Sequence, residues 1–413
     1  MAVALAFCTF VAPAFAQQTQ KPDPPPVEFR WGAHPSLRFK DTVRIDFRGR
    51  FQGDVRRSDA PFEDEDETLD VARRRIGIDG EIRNLLAFQV ERELASDVPW
   101  RDVYVDYRQF TALRVQAGKF KLPFSLDENT SATDLDFVYR SLAATQLAPG
   151  RDRGVMVHGR ARARAIGYEV GIFRHDGDNA RPRDDLHTLG ARTFAARFTT
   201  EPFAASKTRL STLRAAVAMT SADVPEGVSA IRGRTPLREE FFDGEMWVSG
   251  ARRRFGLEAQ WRPGPFSLQA EYMRLTEERR GQSLDGADLP DITAAGWYVS
   301  GSWAVTGDAK ARGLDNPRRP LLRGGIGAIE VAARVESLAF GEGPGPGASL
   351  SPRAEVLLGN RDRVLTFGAN WYVNRWIKLQ GNVIRDTLRD PGRGPLPSAA
   401  AYWSRVFRVQ VQI

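Results

Sequence analysis

The sequence predicts an all-β protein, a transmembrane antiparallel β-barrel, on three observations. Runs of roughly ten residues alternate apolar and polar side chains along most of the 413-residue chain. The connections between runs are by turns very short and very long. No stretch carries the ~20 consecutive apolar residues that a spanning helix needs, and only helices and closed barrels satisfy their backbone groups inside lipid. The first run sets the pattern. Leu37, Phe39, Val43, Ile45, Phe47 and Phe51 share one face, while Arg38, Lys40, Arg44, Asp46, Arg48 and Arg50 share the other.

The chain reads in three parts: a signal peptide over residues 1–16, a Pro-rich spacer over 17–35 and the barrel over 36–413. Residues 1–16 (MAVALAFCTFVAPAFA) are apolar and uncharged and end in Ala14-Phe15-Ala16, the small-x-small pattern cut on export. Their first residues hold no Lys or Arg, which points to a start further upstream. Cys8 is the sole cysteine and leaves with the signal, so neither disulfides nor thiolate chemistry is expected. The spacer holds Pro22, Pro24, Pro25 and Pro26 and reads as extended chain.

Sixteen candidate strands follow, at about 36–52, 69–82, 85–95, 101–108, 112–119, 154–162, 166–174, 189–199, 209–220, 247–261, 266–277, 295–305, 326–338, 363–373, 376–385 and 403–413. An even count puts both chain ends on one side of the membrane. Tight turns at Arg83-Asn84, 262–265 and Asn374-Arg375 mark the periplasmic rim; the long polar stretches 53–68, 120–153, 221–246, 278–293, 339–361 and 386–402 mark the outer one. The segment 307–325 is long where a short turn is due: a periplasmic excursion, or a slip in the count. Phe110, Trp261, Phe266, Trp371, Trp376 and Trp403 fall near strand ends, where aromatic rings favour the interface. A soluble all-β protein is the competing reading, with the aromatics filling a core.

The formal charge of +7 would admit nucleic acid, acidic lipid or small anions as partners. Nucleic acid is excluded because the arginines recur at alternate strand positions instead of gathering in one patch. No cofactor or metal is expected: His34, His158, His175 and His187 lack metal-ligand spacing. No serine sits in a nucleophile elbow, and the Gly341–Gly347 stretch (GEGPGPG) is not followed by the Lys-Ser/Thr of a phosphate-cradling loop. The acidic run Glu63 to Glu67 reads as solvated outer loop, with binding of divalent cations at a lipopolysaccharide surface as the alternative.

Parity assigns direction to the charges. An Arg or Lys on the lipid face costs about 2–4 kcal/mol at mid-membrane, whereas lumen charges stay hydrated. Arg44, Arg48, Arg50, Arg73, Arg75, Arg108, Arg114, Arg252, Arg254, Arg334 and Arg408 therefore point into the channel. Arg92 falls on the apolar face, at a rim or a bulge. A row of guanidinium forks suits oxyanions, and the competing reading is a solvated wall in which the arginines pair with Asp46, Asp79, Glu81, Asp102, Asp106, Glu258 and Glu330.

At Arg73–Gly80 (RRRIGIDG), Trp100–Tyr107 (WRDVYVDY), Gly118–Leu126 (GKFKLPFSL) and Leu147–Gly159 (LAPGRDRGVMVHG) the chain resembles the phosphate-selective porin O and P family. The resemblance implies a sixteen-stranded outer-membrane porin, typically a homotrimer, surrounded by outer-membrane lipid and lipopolysaccharide. It implies passive diffusion of small anions, with phosphate or polyphosphate the best match. It also implies a long loop folded inward after the fifth strand, which would put Lys119, Lys121 and Arg140 at the constriction beside Asp127, Glu128, Asp134 and Asp136. Those acids are expected to clamp the loop to wall arginines. The sequence departs from the pattern in ending at Ile413 where many such barrels end in an aromatic residue, and in having few lysines beside its arginines. A general porin of broad selectivity shares this architecture; an outer-membrane barrel enzyme and a structural or adhesive barrel are alternatives of other classes.

Overall fold

The computed structural model describes residues 27–40, 42–61, 67–96, 99–162, 165–178, 192–243, 245–310, 314, 316–341, 348–390 and 399–413. Sixteen strands form the wall. The first eight are β1 (Val43–Ser58), β2 (Glu67–Ile82), β3 (Leu86–Glu93), β4 (Trp100–Tyr107), β5 (Arg114–Lys121), β6 (Arg151–Ala161), β7 (Ile166–Phe173) and β8 (Thr193–Thr200). The second eight are β9 (Arg214–Val228), β10 (Trp247–Trp261), β11 (Phe266–Arg279), β12 (Leu289–Ala304), β13 (Ala328–Phe340), β14 (Asn360–Tyr372), β15 (Ile377–Arg389) and β16 (Ala399–Gln412). Each strand pairs antiparallel with the next, and β16 closes on β1 through pairs such as Phe407↔Val55 and Val411↔Phe51. Closure leaves no edge strand unpaired in the membrane.

Alternation located these strands well because a barrel wall demands it of every one; 247–261 coincides with β10. At the outer rim β1, β9 and β12 run further than expected, to Ser58, to Val228 and from Leu289, into stretches read as loop. The first strand departs most. Residues 36–52 are not one run: Pro35–Phe39 and β1 form a hairpin around Thr42, with Phe39↔Val43 and Ser36↔Asp46 in register. A further strand, Glu28–Trp31, pairs back on Pro35–Phe39, so the end of the expected spacer is sheet and a spacer boundary at 35 falls too late. This extension continues the edge of β1 where β16 ends, at Ile413 paired with Gly49. The proposed signal, Pro22 to Pro26 of the spacer and residues 63–66 of the acidic run fall outside the described residues, while Glu67, the last of that run, opens β2.

Residues 209–212, expected in a strand, form a 3-10 turn below β9. The 307–325 segment belongs to a true connection between β12 and β13 at the short-turn rim, and the count stays at sixteen. There Ala304, Leu314, Ala328 and Tyr372 form a small core, and Lys310 reaches up into the lumen.

Parity sorts the wall as expected. Phe47, Phe51, Val55, Phe255, Leu257, Val383 and Phe407 are exposed on the outside, while Gln52, Asp54, Arg252, Arg254, Glu258 and Arg408 are buried on the inside. Arg92 combines both readings offered for it: the β3–β4 register shifts between Val90 and Arg92, and its guanidinium sits 5.2 Å from the Trp100 ring centre. Arg introduced at Phe47, Ile78 or Leu257 should cut the assembled fraction in lipid vesicles, at a cost of about 2–4 kcal/mol each near mid-membrane. Arg at the inward Gln89 or Gln260 should assemble nearly as well as the unmodified chain. Equal losses at both sets, measured by heat-modifiable gel mobility, would mean that the faces are interchanged.

Candidate functional site

The segment 122–150 after β5 folds into the lumen and crosses to the opposite wall. It carries two one-turn helices, α1 (Leu126–Asn129) and α2 (Leu142–Gln146), each capped by a serine: Ser125 Oγ accepts from Glu128 N at 3.1 Å and Ser141 Oγ from Ala144 N at 3.3 Å. The wall supplies what the helices leave open. Glu271 of β11 accepts from Leu126 N (2.9 Å), Asp127 N (2.7 Å) and the Tyr298 hydroxyl (2.7 Å). Glu336 of β13 accepts from Leu142 N at 2.6 Å and Asn382 of β15 from Val138 N at 2.8 Å.

Wall donors meet the loop carbonyls. Arg254 donates to Leu147 O, Arg408 to Val138 O and Lys378 to Leu135 O, each at 2.7 Å; Asn370 donates to Asp136 O at 2.8 Å and Arg334 to Tyr139 O at 3.1 Å. Hydrogen bonds to charged groups are worth about 1.5–3 kcal/mol each. Apolar packing adds to them. Phe124, Val138, Leu142 and Leu147 join Ile231, Phe241, Phe242 and Met246 of the 229–246 loop and the inward Met273, Leu275, Leu338, Phe340, Val364 and Ile384 in one core. Three inward glycines make the seats: a Cβ on Gly256, Gly296 or Gly368 would lie 3.2, 2.8 or 3.3 Å from Phe124, Ala143 or Phe137.

The loop acids do not clamp wall arginines. Asp127 accepts from Ser141 N at 2.7 Å, Glu128 faces Arg140 at 3.4 Å and Lys121 at 3.6 Å, and Asp136 pairs with Lys310 at 2.7 Å. Burial alone would raise the Glu128 carboxyl; Lys121 and Arg140 outweigh it and hold the group below the usual carboxylate range. The same contest at Asp136, burial against the Lys310 ammonium, ends lower as well.

A water-accessible cavity of about 540 Å³ remains between this loop and the wall of β1–β7. Nine cationic side chains line it: Arg48, Arg50, Arg73, Arg75, Arg101, Lys121, Arg140, Arg151 and Arg238. Four carboxylates do so too: Glu91, Asp102, Glu128 and Glu169. Lys121 and Arg140 thus stand together as expected, at the base of the loop, where Arg140 also donates to Thr130 O at 2.7 Å. Lys119 does not join them; its Nζ donates to Trp100 O at 2.7 Å, and the next residue, Phe120, takes the inward side against Tyr104 and Phe173.

Most wall arginines are tied. Arg44 pairs with Asp46 (3.1 Å) and Glu81 (3.3 Å), Arg48 with Asp79, Arg75 with Glu93 (2.8 Å) and Glu91 (3.0 Å), and Arg108 with Asp106 at the rim (2.5 Å). Arg252 and Arg254 are inward but locked on Asp176, at 2.9 and 2.5 Å, away from the cavity. Burial raises the Asp176 carboxyl, and these two guanidiniums pull it below its ordinary value. Arg50, Arg73 and Arg114 are the least tied of the expected set: Arg50 has Glu91 at 4.0 Å, Arg73 donates to Gln52 Oε1 at 2.6 Å, and neither Arg73 nor Arg114 has a carboxylate partner among the described residues.

Arg101, Arg151 and Arg238 line the cavity without having been expected there. The β3–β4 register shift turns Arg101 inward, β6 starts three residues before the expected 154 and so includes Arg151, and Arg238 belongs to an outer loop. Arg151 grips Asp102 through Nε at 3.1 Å and Nη2 at 2.9 Å. A second cavity of about 270 Å³ at the short-turn rim holds Arg114, His158 and Arg214, and Glu169 lines both spaces. Among the described residues no group of three or more His, Cys, Asp or Glu converges as a metal site requires.

A closed sixteen-stranded barrel, narrowed by a loop tied across its lumen and left with a cation-rich passage, defines a porin of the outer-membrane type. The chain belongs to the phosphate-selective porin O and P family, whose sequence profile matches residues 45–395. Porin O of Pseudomonas aeruginosa PAO1 is 28% identical over 134 residues, 32% of this chain and 29% of that protein's length. Among solved structures, the anion-selective porin of Comamonas acidovorans aligns with a TM-score of 0.55 over 90% of this chain and 100% of its own, at 11% identity. The outer-membrane protein OmpT of Vibrio cholerae in its trimer form aligns at 0.56 over 90% and 100%, also at 11% identity. At such identities these likenesses concern the fold.

The Asp136–Lys310 latch has a defined pH range. Because the folded-state carboxyl titrates below its usual value, the latch is complete above about pH 4 and weakens only as pH falls through that lower value. Single-channel current noise should therefore be flat from about pH 7 to 4.5 and rise below about pH 4. Asp136→Asn should be noisy throughout; a quiet Asn variant would show that the latch does not hold the loop.

Proposed function

We propose that the protein is an anion-favouring diffusion channel of the outer membrane, with residues 1–16 as its export signal and phosphate among its substrates. The observation that carries the reading is the charge of the main cavity, nine cationic side chains against four carboxylates. Arg50, Arg73 and Arg238 contribute most, because tied arginines are already neutralised by their partners. A unit charge at 4 Å is worth about 1 kcal/mol in water and about 4 kcal/mol where water is partly excluded, enough to enrich anions without trapping them. Conduction needs several such weak stations, since an ion must leave as readily as it enters. Family membership supports phosphate. The trimer form of the Vibrio cholerae protein supports assembly as a homotrimer. A general porin of broad selectivity is the second reading, favoured by the pairing of most lumen arginines with acids.

Replacing Arg50, Arg73 and Arg101 together by Gln should lower the chloride-to-potassium permeability ratio about tenfold, a change equal to 1.4 kcal/mol, while the barrel stays folded. The difference should shrink in high salt, because the field is screened over about 8 Å at physiological ionic strength. An unchanged reversal potential would refute the anion field. Chloride current that added phosphate fails to inhibit would favour the general porin.

A further inference from the structure

Several inward arginines of the wall stand directly opposite an acid on the neighbouring strand. Arg44↔Glu81, Arg75↔Glu93, Arg197↔Glu169, Arg252↔Glu277 and Arg408↔Asp54 are opposed in register, and each is an ion pair. Arg73 of β2 lines the main cavity, and the residue opposed to it on β1 is Gln52, the neutral isostere of a glutamate. Gln52 is 0% exposed and lies behind the cavity lining.

The surroundings of Gln52 allow its amide one orientation. Nε2 donates to Gln410 Oε1 at 2.5 Å and to Ala132 O at 3.3 Å. A carbonyl oxygen only accepts, so Oε1 is left to meet the Arg73 guanidinium, which only donates, at 2.6 Å. Gln410 is opposed to Gln52 on β16 and is fixed in turn on Thr133 O at 3.3 Å. A row of three side chains, Gln410, Gln52 and Arg73, thus crosses the seam where the barrel closes and hangs from the inward loop. The neighbouring charges that act on Arg73 most are Arg408, Arg75, Arg140 and Arg50, all of one sign.

We propose that Gln52 is a specificity-determining residue that acts through Arg73: it positions the guanidinium beside the passage by a neutral hydrogen bond and leaves its charge whole. The inference rests on the anion-favouring reading above. A carboxylate in the same place would hold Arg73 as firmly, but an ion in the passage would then meet a dipole, whose field falls off faster than that of a single charge. Arg408, held by Asp54 through two bonds of 2.6 Å one inward position along β1, shows that outcome.

The test is Gln52→Glu in the full-length chain in planar bilayers, read as the chloride-to-potassium permeability ratio against the unmodified chain at the same pH. At pH 7 the ratio should fall about threefold. As pH drops from about 5 to about 2.5 the introduced carboxyl takes up a proton, and the ratio should return to that of the unmodified chain. A loss caused by disturbed structure would persist in acid. Gln52→Met is neutral and cannot hold Arg73; it should keep the ratio at pH 7 while raising current noise. Should Gln52→Glu not assemble, Gln410→Glu puts the charge one residue further along the same row and should lower the ratio about 1.5-fold, again with recovery in acid. An unchanged ratio at pH 7, a loss that acid does not reverse, or an equal loss in Gln52→Met overturns the proposal. An unmodified chain without anion preference would refute the anion-channel reading instead, so the two failures are separate results.

Discussion

A segment with little regular structure, buried inside a barrel, must find a partner for its backbone N–H and C=O groups, and this requirement organises the lumen. Residues 122–150 meet it with the side chains of the far wall. Carboxylates of Glu271 and Glu336 take amide protons at the two helix starts, and Arg254, Arg334, Lys378 and Arg408 fill carbonyls. The position of the passage follows. The loop and its apolar core occupy the side of β10–β16, and water keeps the side of β1–β7.

This division gives the arginines two occupations that the sequence does not distinguish. Arg408 holds Asp54 through two hydrogen bonds of 2.6 Å and a loop carbonyl besides, so its charge is used inside the scaffold. Arg73 has a neutral glutamine as its partner and keeps its charge for whatever passes. Both alternate inward on a strand, and both looked alike as members of an inward row. Arginine suits the scaffold role because five donors in one plane satisfy a carboxylate and a carbonyl together.

The wall was legible because a lipid-facing strand must alternate, and the alternation of β10 or β14 survives any choice of inward residue. Legibility failed where that constraint lapses. Pro35–Phe39 alternates in phase with β1 across a three-residue turn, and the two merged into one run. Lys119 stands one residue from an inward phenylalanine, and only its contact with Trp100 O shows the side it takes. Inward Met273, Leu275, Val364 and Ile384 face a core instead of water, so their strands are apolar on both faces for part of their length. The anchors Glu271, Glu336 and Asn382 resemble any polar lumen residue, because their partners lie far off in the chain.

That separation bears on the order of assembly. Leu126 meets Glu271 across 145 residues of chain and Val138 meets Arg408 across 270, so the loop has no seat until the last strands are placed. Phe124, Ala143 and Phe137 rest on Gly256, Gly296 and Gly368, which belong to three different strands. The narrowing is therefore a property of the finished barrel as a whole: no shorter run of the chain holds both the loop and all of its seats.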